Sequence, residues 1–396
     1  MSQSAQPAAW QRLPQIVSFE NRASFTETYG FAGNSGKVNL EGQLLRAADR
    51  PSSTVYVFMH PTSTLQLLPM PTALADLGLH VLCAASRYAK NDSALIMENV
   101  VVDLGRWLRH ARETLGYRQV ILVGWSGGGS LSLFYQAQAE HTDVTKTPAG
   151  DPIDLPGEKL LPADGVIFVA AHLSRAETLT EWLDPSVIDE LDPDRRDSQF
   201  DIYSPECPAR PPYTADFIAA FRAAQVARNR KITAWCQDKM EQLRRTRTGE
   251  LERAFVVHRT MCDVRWLDPS VDPNGRKPNW CYMGDPRAVN VGPVGLARFS
   301  TLRSWLSQWS YDLSNAKGPA NAAKIRHTSV LQIENTADDA VPATHNPTIH
   351  AALATADKRL LRIEGATHYY VGQPELLQQC TDAVIGWSRE KRLLLE

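Results

Sequence analysis

The chain has 396 residues, long enough for a full hydrophobic core and intermediate between one large domain and two ordinary ones. Its 42 basic and 44 acidic residues nearly cancel, which excludes the strong basic excess of a nucleic-acid binder. Six cysteines (Cys83, Cys207, Cys236, Cys262, Cys281 and Cys380) show no CxxC pairing, which fits free thiols in a reducing compartment and argues against a zinc site. Four of them fall between 207 and 281, so a disulfide-stapled insert stays open.

No basic-then-apolar leader opens the sequence, and no stretch approaches about eighteen apolar residues, so a cytoplasmic protein without membrane contact is expected. Residues 1 to about 36 are polar and weakly patterned, as a surface arm or an early edge strand would be. Gly36 to Leu45 alternates polar and apolar side chains, the pattern of an exposed edge or antiparallel strand. The run from Thr54 to His60 is more densely apolar and fits a strand buried on both faces. A helix over about 64–77 then leads to a strand at His80 to Ala84. A second helix over about 97–115 repeats apolar residues at helical spacing, through Val100, Val101, Leu104, Trp107 and Leu108. It feeds the strand Gln119 to Trp125, which a helix follows. After a polar loop over about 141–163, Gly165 to Ala171 reads as the next strand. This alternation implies a parallel sheet covered by helices on both faces, an α/β fold.

At about 173 the pattern changes for some 150 residues of scattered tryptophan, proline and blocks of charge, which reads as an insertion over 173–325. Its first part, 177–206, is mostly acidic and a later part, 222–259, is basic, with Arg244, Arg245, Arg247 and Arg253. Two solvated faces or an internal acid-to-base contact explain this most simply; a basic wall for an anionic substrate is the sharper alternative. Trp-Leu-Asp-Pro-Ser-Val occurs twice, at 182–187 and 266–271, with unmatched flanks, so the pair predicts two similarly capped turns and no repeat architecture. Strand and helix alternate again from Ser329, with strands at 329–334 and 359–364 and helices at about 344–355 and 373–390. The core is thus 1–172 with 326–396.

The chemistry centres on Ser126. Gly124 and Gly128 flank it in a GxSxG pattern at a predicted strand-to-helix elbow, where a tight turn leaves no room for Cβ atoms and pushes the hydroxyl outward. The helix that begins there sets its positive end beside that hydroxyl. A chance glycine-rich turn gives the same letters, so the elbow needs partners. A serine hydroxyl is a poor nucleophile at neutral pH until a base and an orienting acid attend it. Residues just past the carboxyl ends of parallel strands share one crevice, and Asp338 and His368 both fall there, in the order Ser, acid, His.

With these three residues in place the chain resembles the α/β-hydrolase superfamily, over about 36–172 and 326–396. The resemblance rests on the GWSGG elbow, the DxxVP-like segment from Asp338 to Pro342, and the GATH that ends at His368. It implies an eight-stranded, mostly parallel sheet flanked by helices, with a mainly helical lid inserted between the sixth and seventh strands. The family spacing favours Asp338 over the adjacent Asp339 as the acid. His345 and His350 are expected on the surface or facing the lid. An oxyanion hole needs two backbone donors. One is expected at Gly127 and the other in the loop after His60, at Thr62, because Pro61 has no N–H to give; Ser63 is the fallback. His60, Trp125 and His172 are expected to line the substrate pocket, although a hydrogen-bonded structural role suits His172 equally well.

The activity this implies is ester hydrolysis through an acyl-enzyme, without metal or organic cofactor, on a small to medium apolar or aromatic ester. Thioesterase, lactonase and C–C hydrolase chemistry use the same triad, and a ligand receptor on this fold is the rival outside enzymology. A homodimer is left open. Trp182, Trp235, Trp266, Trp280, Trp305 and Trp309, with Met261 and Met283, are available for an acyl pocket, or simply for the lid's own core.

Overall fold

A computed structural model describes residues 9–21, 36–47, 49–246 and 249–394. The expected arm at 1–8 and 22–35 lies outside these residues. Between its two parts, Trp10–Glu20 forms the first strand, β1. It pairs antiparallel with β2 (Lys37–Ala47), so β2 is antiparallel as expected but sits one place in from the edge, which β1 occupies. β3 (Thr54–Met59), β4 (Val81–Ala84), β5 (Gln119–Ser126) and β6 (Gly165–Ala171) follow.

Two short ribbons, β7 (Val187–Asp189) with β8 (Asp192–Arg196) and β9 (Ala254–Val256) with β10 (Phe299–Thr301), stand apart from the sheet. β11 (Ser329–Asn335) and β12 (Lys358–Ile363) complete it. The order β1-β2-β4-β3-β5-β6-β11-β12 is parallel from β4 to β12.

Alternate residues of the central strands point to opposite faces, and each face is closed by helices. Val55, Val57, Leu122, Val166 and Val330 pack against α2 (Met97–Arg109) and α3 (Gly127–Glu140). Tyr56, Phe58, Ile121, Ile167 and Leu331 face the other way, toward α1 (Pro69–Asp76) and the C-terminal helix Pro374–Glu390. The helix expected over 64–77 starts only at Pro69, whose fixed φ and missing N–H suit the first turn. The helix expected to reach 115 is regular to Arg109 and ends in a wider turn over His110–Thr114.

The insertion between β6 and β11 is mainly helical. A short α4 (Leu155–Glu158) precedes β6. After β6 come α5 (Arg175–Trp182), the 32-residue α6 (Ala215–Thr246), α7 (Val264–Leu267), α8 (Pro286–Val291), α9 (Leu302–Ser304) and α10 (Gly318–Ala322). α11 (His345–Ala352) and α12 (Pro374–Glu390) belong to the sheet. α6 buries Phe221, Gln225, Arg228, Asn229, Ile232, Cys236, Met240 and Leu243, one stripe at helical spacing. The acidic and basic blocks meet inside the insertion: Arg228 pairs with Glu190, and Arg259 with Asp184 and Asp201. Arg244 donates to the Ala149 carbonyl, while Arg245 and Arg253 pair with Glu241 and Glu250 on their own segments.

The repeated hexapeptide forms the same turn twice. Asp184 Oδ1 accepts from the backbone and hydroxyl of Ser186 at 3.0 and 2.6 Å, and Asp268 Oδ1 from those of Ser270 at 3.0 and 2.6 Å. All six cysteines are free and buried, so no disulfide staples the insertion. Among the described residues, no helix is long and apolar enough to cross a membrane.

Candidate active site

β5 ends at Ser126, whose φ of 55° and ψ of −124° lie where side chains rarely go, and α3 starts at the next residue. Close packing explains the glycines around it. A Cβ on Gly124 would lie 2.7 Å from the Gly128 carbonyl oxygen, and one on Gly128 2.5 Å from the Met59 carbonyl oxygen. One on Gly127 would lie 2.5 Å from His60 Nε2. The elbow therefore fits only against the end of β3 if its neighbours carry no side chain.

Three side chains from three strand ends meet here. His368 Nε2 lies 3.1 Å from Ser126 Oγ, and His368 Nδ1 lies 2.9 Å from Asp338 Oδ2. Asp338 Oδ1 accepts the N–H groups of Ala340 and Val341, both at 2.8 Å, so the turn after β11 fixes the carboxylate in place. The His368 ring is held by Trp125, 4.6 Å away between centroids, and by Tyr369, edge-on at 4.8 Å. Ser126 and His368 are 242 residues apart in sequence, and the sheet brings them together.

Asp339 makes no hydrogen bond to His368. Burial, and then the charge of Asp338, raises its carboxyl to about 6. His345 is buried beneath the insertion, with Nδ1 accepting from the Leu173 N–H at 3.4 Å and Nε2 lying 3.7 Å from Glu181. His350 bonds Gln332 at 3.0 Å, away from Ser126.

The loop after β3 is arranged around His60. Its Nδ1 accepts the N–H groups of Thr62 at 3.2 Å and Ser63 at 2.9 Å, which leaves the ring proton on Nε2, the atom nearest Gly127. Burial, then the charges of Arg175 and His368, holds His60 neutral, well below the usual histidine range. His172 is likewise held far below it by burial and by the neighbouring histidines, and its Nδ1 bonds Thr178 Oγ1 at 3.1 Å. The His172 N–H also donates to the Ser126 carbonyl at 3.1 Å.

A cavity of about 130 Å³ opens over Ser126. His60, Thr62, Trp125, Gly127 and His172 all line it, as does Ser63. Of the six insertion tryptophans only Trp182 does. Trp266 packs against it with rings tilted and centroids 5.2 Å apart, Trp305 and Trp309 pack inside the insertion, and Trp235 and Trp280 are exposed. The wall also includes Asp92, Arg175, Tyr282 and Tyr369, which sequence reasoning did not single out. Arg175 was the most accessible of these, as a lone charge just past a strand end where Ser174 and Glu177 already mark a helix start. Tyr282 gave no such signal: its ring comes within 6.2 Å of His368 from inside an irregular segment. Among the described residues, no three His, Cys, Asp or Glu side chains are grouped to hold a metal ion.

No family model matches the chain, and no curated protein does. Solved structures match in fold. A structure titled as DcsB in complex with its substrate analogue aligns at a TM-score of 0.51 and 14% identity, covering 96% of this chain and 100% of that one. The bacterial brefeldin A esterase, described as a homologue of human hormone-sensitive lipase, aligns at 0.45 and 14%, over 99% of this chain and 80% of its own. The siderophore hydrolase EstB from Aspergillus fumigatus aligns at 0.47 and 13%, over 89% and 95%. Eight sheet strands in this order, the insertion after the sixth and the match to the DcsB structure make the fold that of the α/β-hydrolases.

Proposed function

On this fold we propose a serine hydrolase that cleaves a carboxylic ester through an acyl-enzyme. Residues 1–172 and 326–396 form its catalytic core and 173–325 its cap. The observation that carries the proposal is the continuous contact from Ser126 Oγ to His368 to Asp338, at 3.1 and 2.9 Å, on the floor of a cavity. His368 takes the serine proton through Nε2 as Oγ attacks the ester carbonyl. Asp338, on Nδ1, keeps the imidazole in the tautomer that can accept there and stabilises the imidazolium that results. His368 then returns the proton to the leaving alkoxide, and water repeats the sequence to release the acid.

The tetrahedral oxyanion needs donors placed where its charge appears. Gly127 N–H, the first amide of α3, is one. Thr62 N–H is the second in this reading; its bond to His60 Nδ1 is the longer of two, and an incoming oxyanion competes for it at small cost. No cofactor enters the scheme.

A fluorophosphonate probe tests the reading directly. Stoichiometric labelling of Ser126 in folded protein is expected, together with turnover of short-chain p-nitrophenyl esters. A folded protein that is not labelled would sink the hydrolase reading. Turnover confined to thioesters or lactones would overturn the choice of bond while leaving the mechanism standing.

A further inference from the structure

Among the described residues, the wall of the cavity over Ser126 includes one arginine, which ester hydrolysis as described does not use. Arg175 is only 5% exposed and lines the cavity. Most of its guanidinium is committed. It lies over the Trp309 ring at 4.3 Å, Nε donates to Gln308 Oε1 at 3.0 Å, and Nη2 to Asp92 Oδ2 at 2.6 Å. Gln308 is itself held: its amide nitrogen donates to the Asp92 carbonyl and to Ser304 Oγ, both at 2.8 Å, which keeps its oxygen on Arg175. Among the described residues, no acceptor takes Nη1. Nor is Nη1 one of the sealed, unpartnered polar atoms, such as those at Arg106 and Arg298.

Among the described residues, Asp92 is the one acidic side chain in the cavity wall, and it engages Nη2 and leaves Nη1. Burial keeps both His60 and His172 neutral, and the charge of Arg175 adds to it, so neither histidine brings a second cation to the wall. Tyr282, also in the wall, has its phenol pushed up by burial and supplies no counter-charge. A buried guanidinium that lines the cavity and keeps one nitrogen without a protein acceptor is suited to a carboxylate, which it can bind through charge-assisted hydrogen bonds.

Building on the hydrolase reading, we propose that Arg175 Nη1 anchors a free carboxylate on the acyl part of the substrate, making the substrate a monoester of a short dicarboxylic acid. The cavity has room for such an acyl group. An engineered cavity of about 150 Å³ admits benzene, so about 130 Å³ takes an acyl group of succinyl or glutaryl size. The ester carbonyl meets Ser126 at one end of this group while the carboxylate meets Arg175 at the other.

The test compares three phenyl esters of similar shape: the hemisuccinate, the 4-oxopentanoate and the 4-methylpentanoate. They present a carboxylate, a neutral acceptor and an apolar branch at the same place. Wild-type kcat/KM is expected to favour the hemisuccinate over the 4-oxopentanoate by about 10- to 100-fold, the range of a charge-assisted hydrogen bond. In Arg175→Met combined with Asp92→Asn, which leaves no orphaned charge, this ratio is expected to fall to one or below, chiefly through KM. Equal wild-type rates for the first two esters, or an unchanged ratio in the double variant, would overturn the anchor while the hydrolase reading survives. Calorimetry of succinate against butyramide on wild-type protein reads the anchor without turnover and without the variant folding. Succinate binding at least ten times tighter supports it, and equal or absent binding overturns it. Loss of fluorophosphonate labelling, by contrast, marks failure of the hydrolase reading itself.

Discussion

The core and the cap are held together by different means. In the core, β3, β4 and β6 are buried along their whole length, and the sheet faces are filled by aliphatic and aromatic side chains. The cap has small apolar clusters, but charged and amide side chains bridge its segments. Gln225 on α6 donates to the carbonyls of Glu181, Leu183 and Cys262 at 2.6 to 3.1 Å, and Arg228 reaches Glu190 and three carbonyls. Asp184 is fully buried and holds Arg259 at 2.6 Å and Asn290 at 2.8 Å. An apolar core tolerates no change of volume but carries no uncompensated charge when one side chain is lost. A polar network fails differently, because removing one partner leaves another charge buried and alone. The difference suits the proposed division of labour: a rigid sheet positions the reacting atoms, and a cap with directional contacts shapes what reaches them.

Two substitutions of buried aspartates separate these roles, and they carry the largest effects. Asp338→Asn, in the core, is expected to lower kcat for a p-nitrophenyl ester by about 10⁴-fold with little change in melting temperature, since an amide oxygen can still accept from Ala340 and Val341. Asp184→Ala, in the cap, is expected to cost about 3–5 kcal/mol of unfolding free energy, because Arg259 keeps only Asp201 as a carboxylate partner and the buried Asn290 and Ser186 lose their acceptor. Denaturant titration measures it. A loss below about 1 kcal/mol would mean that the cap is held by its apolar clusters after all, and the contrast with the core would fail.

How much of this the sequence disclosed follows the same line. Strand and helix positions in the core were legible because a two-faced sheet imposes dense apolar runs and its covering helices impose a 3.6-residue period. Ser126, Asp338 and His368 were legible because the parallel sheet sends every strand end to one crevice, so a residue's place after its strand fixes its place in the site. The edge strand β1 was only half legible: Pro14 and alternating partial burial blur its pattern. In the cap the blocks of charge were visible but their pairing was not, since Arg259 finds Asp184 across 75 residues with no period linking them. The repeated hexapeptide is an instructive exception: Asp-Pro-Ser closes its own turn locally, and local hydrogen bonding can be read without the fold. Tyr282 belongs to the illegible class, because what makes it a pocket residue is the approach of the cap to the sheet, whereas Arg175 left a faint signal in its place just past the end of β6.

Gly127→Ala tests the tightness of the core where it meets the chemistry. The added methyl would lie 2.5 Å from His60 Nε2, so the ring, which positions Thr62 and Ser63 through its other nitrogen, must move. The expected result is about 10²- to 10³-fold loss of kcat, the cost of a displaced oxyanion donor, with Ser126 still labelled slowly by fluorophosphonate. An unchanged kcat would mean that the loop after β3 has slack, contrary to the rigidity assigned to the core.

The smallest effect is expected at the seam. Asp339 follows the proposed triad acid, its backbone carbonyl accepts from Trp266 Nε1 of the cap at 3.3 Å, and its carboxyl is raised to about 6 by burial and by the charge of Asp338. A carboxyl whose pKa rises on folding favours the folded state most when protonated. Its contribution is therefore complete below the unfolded value of 3.8 and is lost as pH rises through about 6. Asp339→Asn removes this titration. The melting temperature of the variant relative to wild type should then climb between pH 4 and pH 6 and stay level above, by a few degrees at most for a chain of this length. A difference that is flat with pH would place the carboxylate in solvent and open the seam between cap and sheet. A difference that climbs as described would make the seam as dry as the core, and the directional contacts of the cap would then end where the reacting atoms begin.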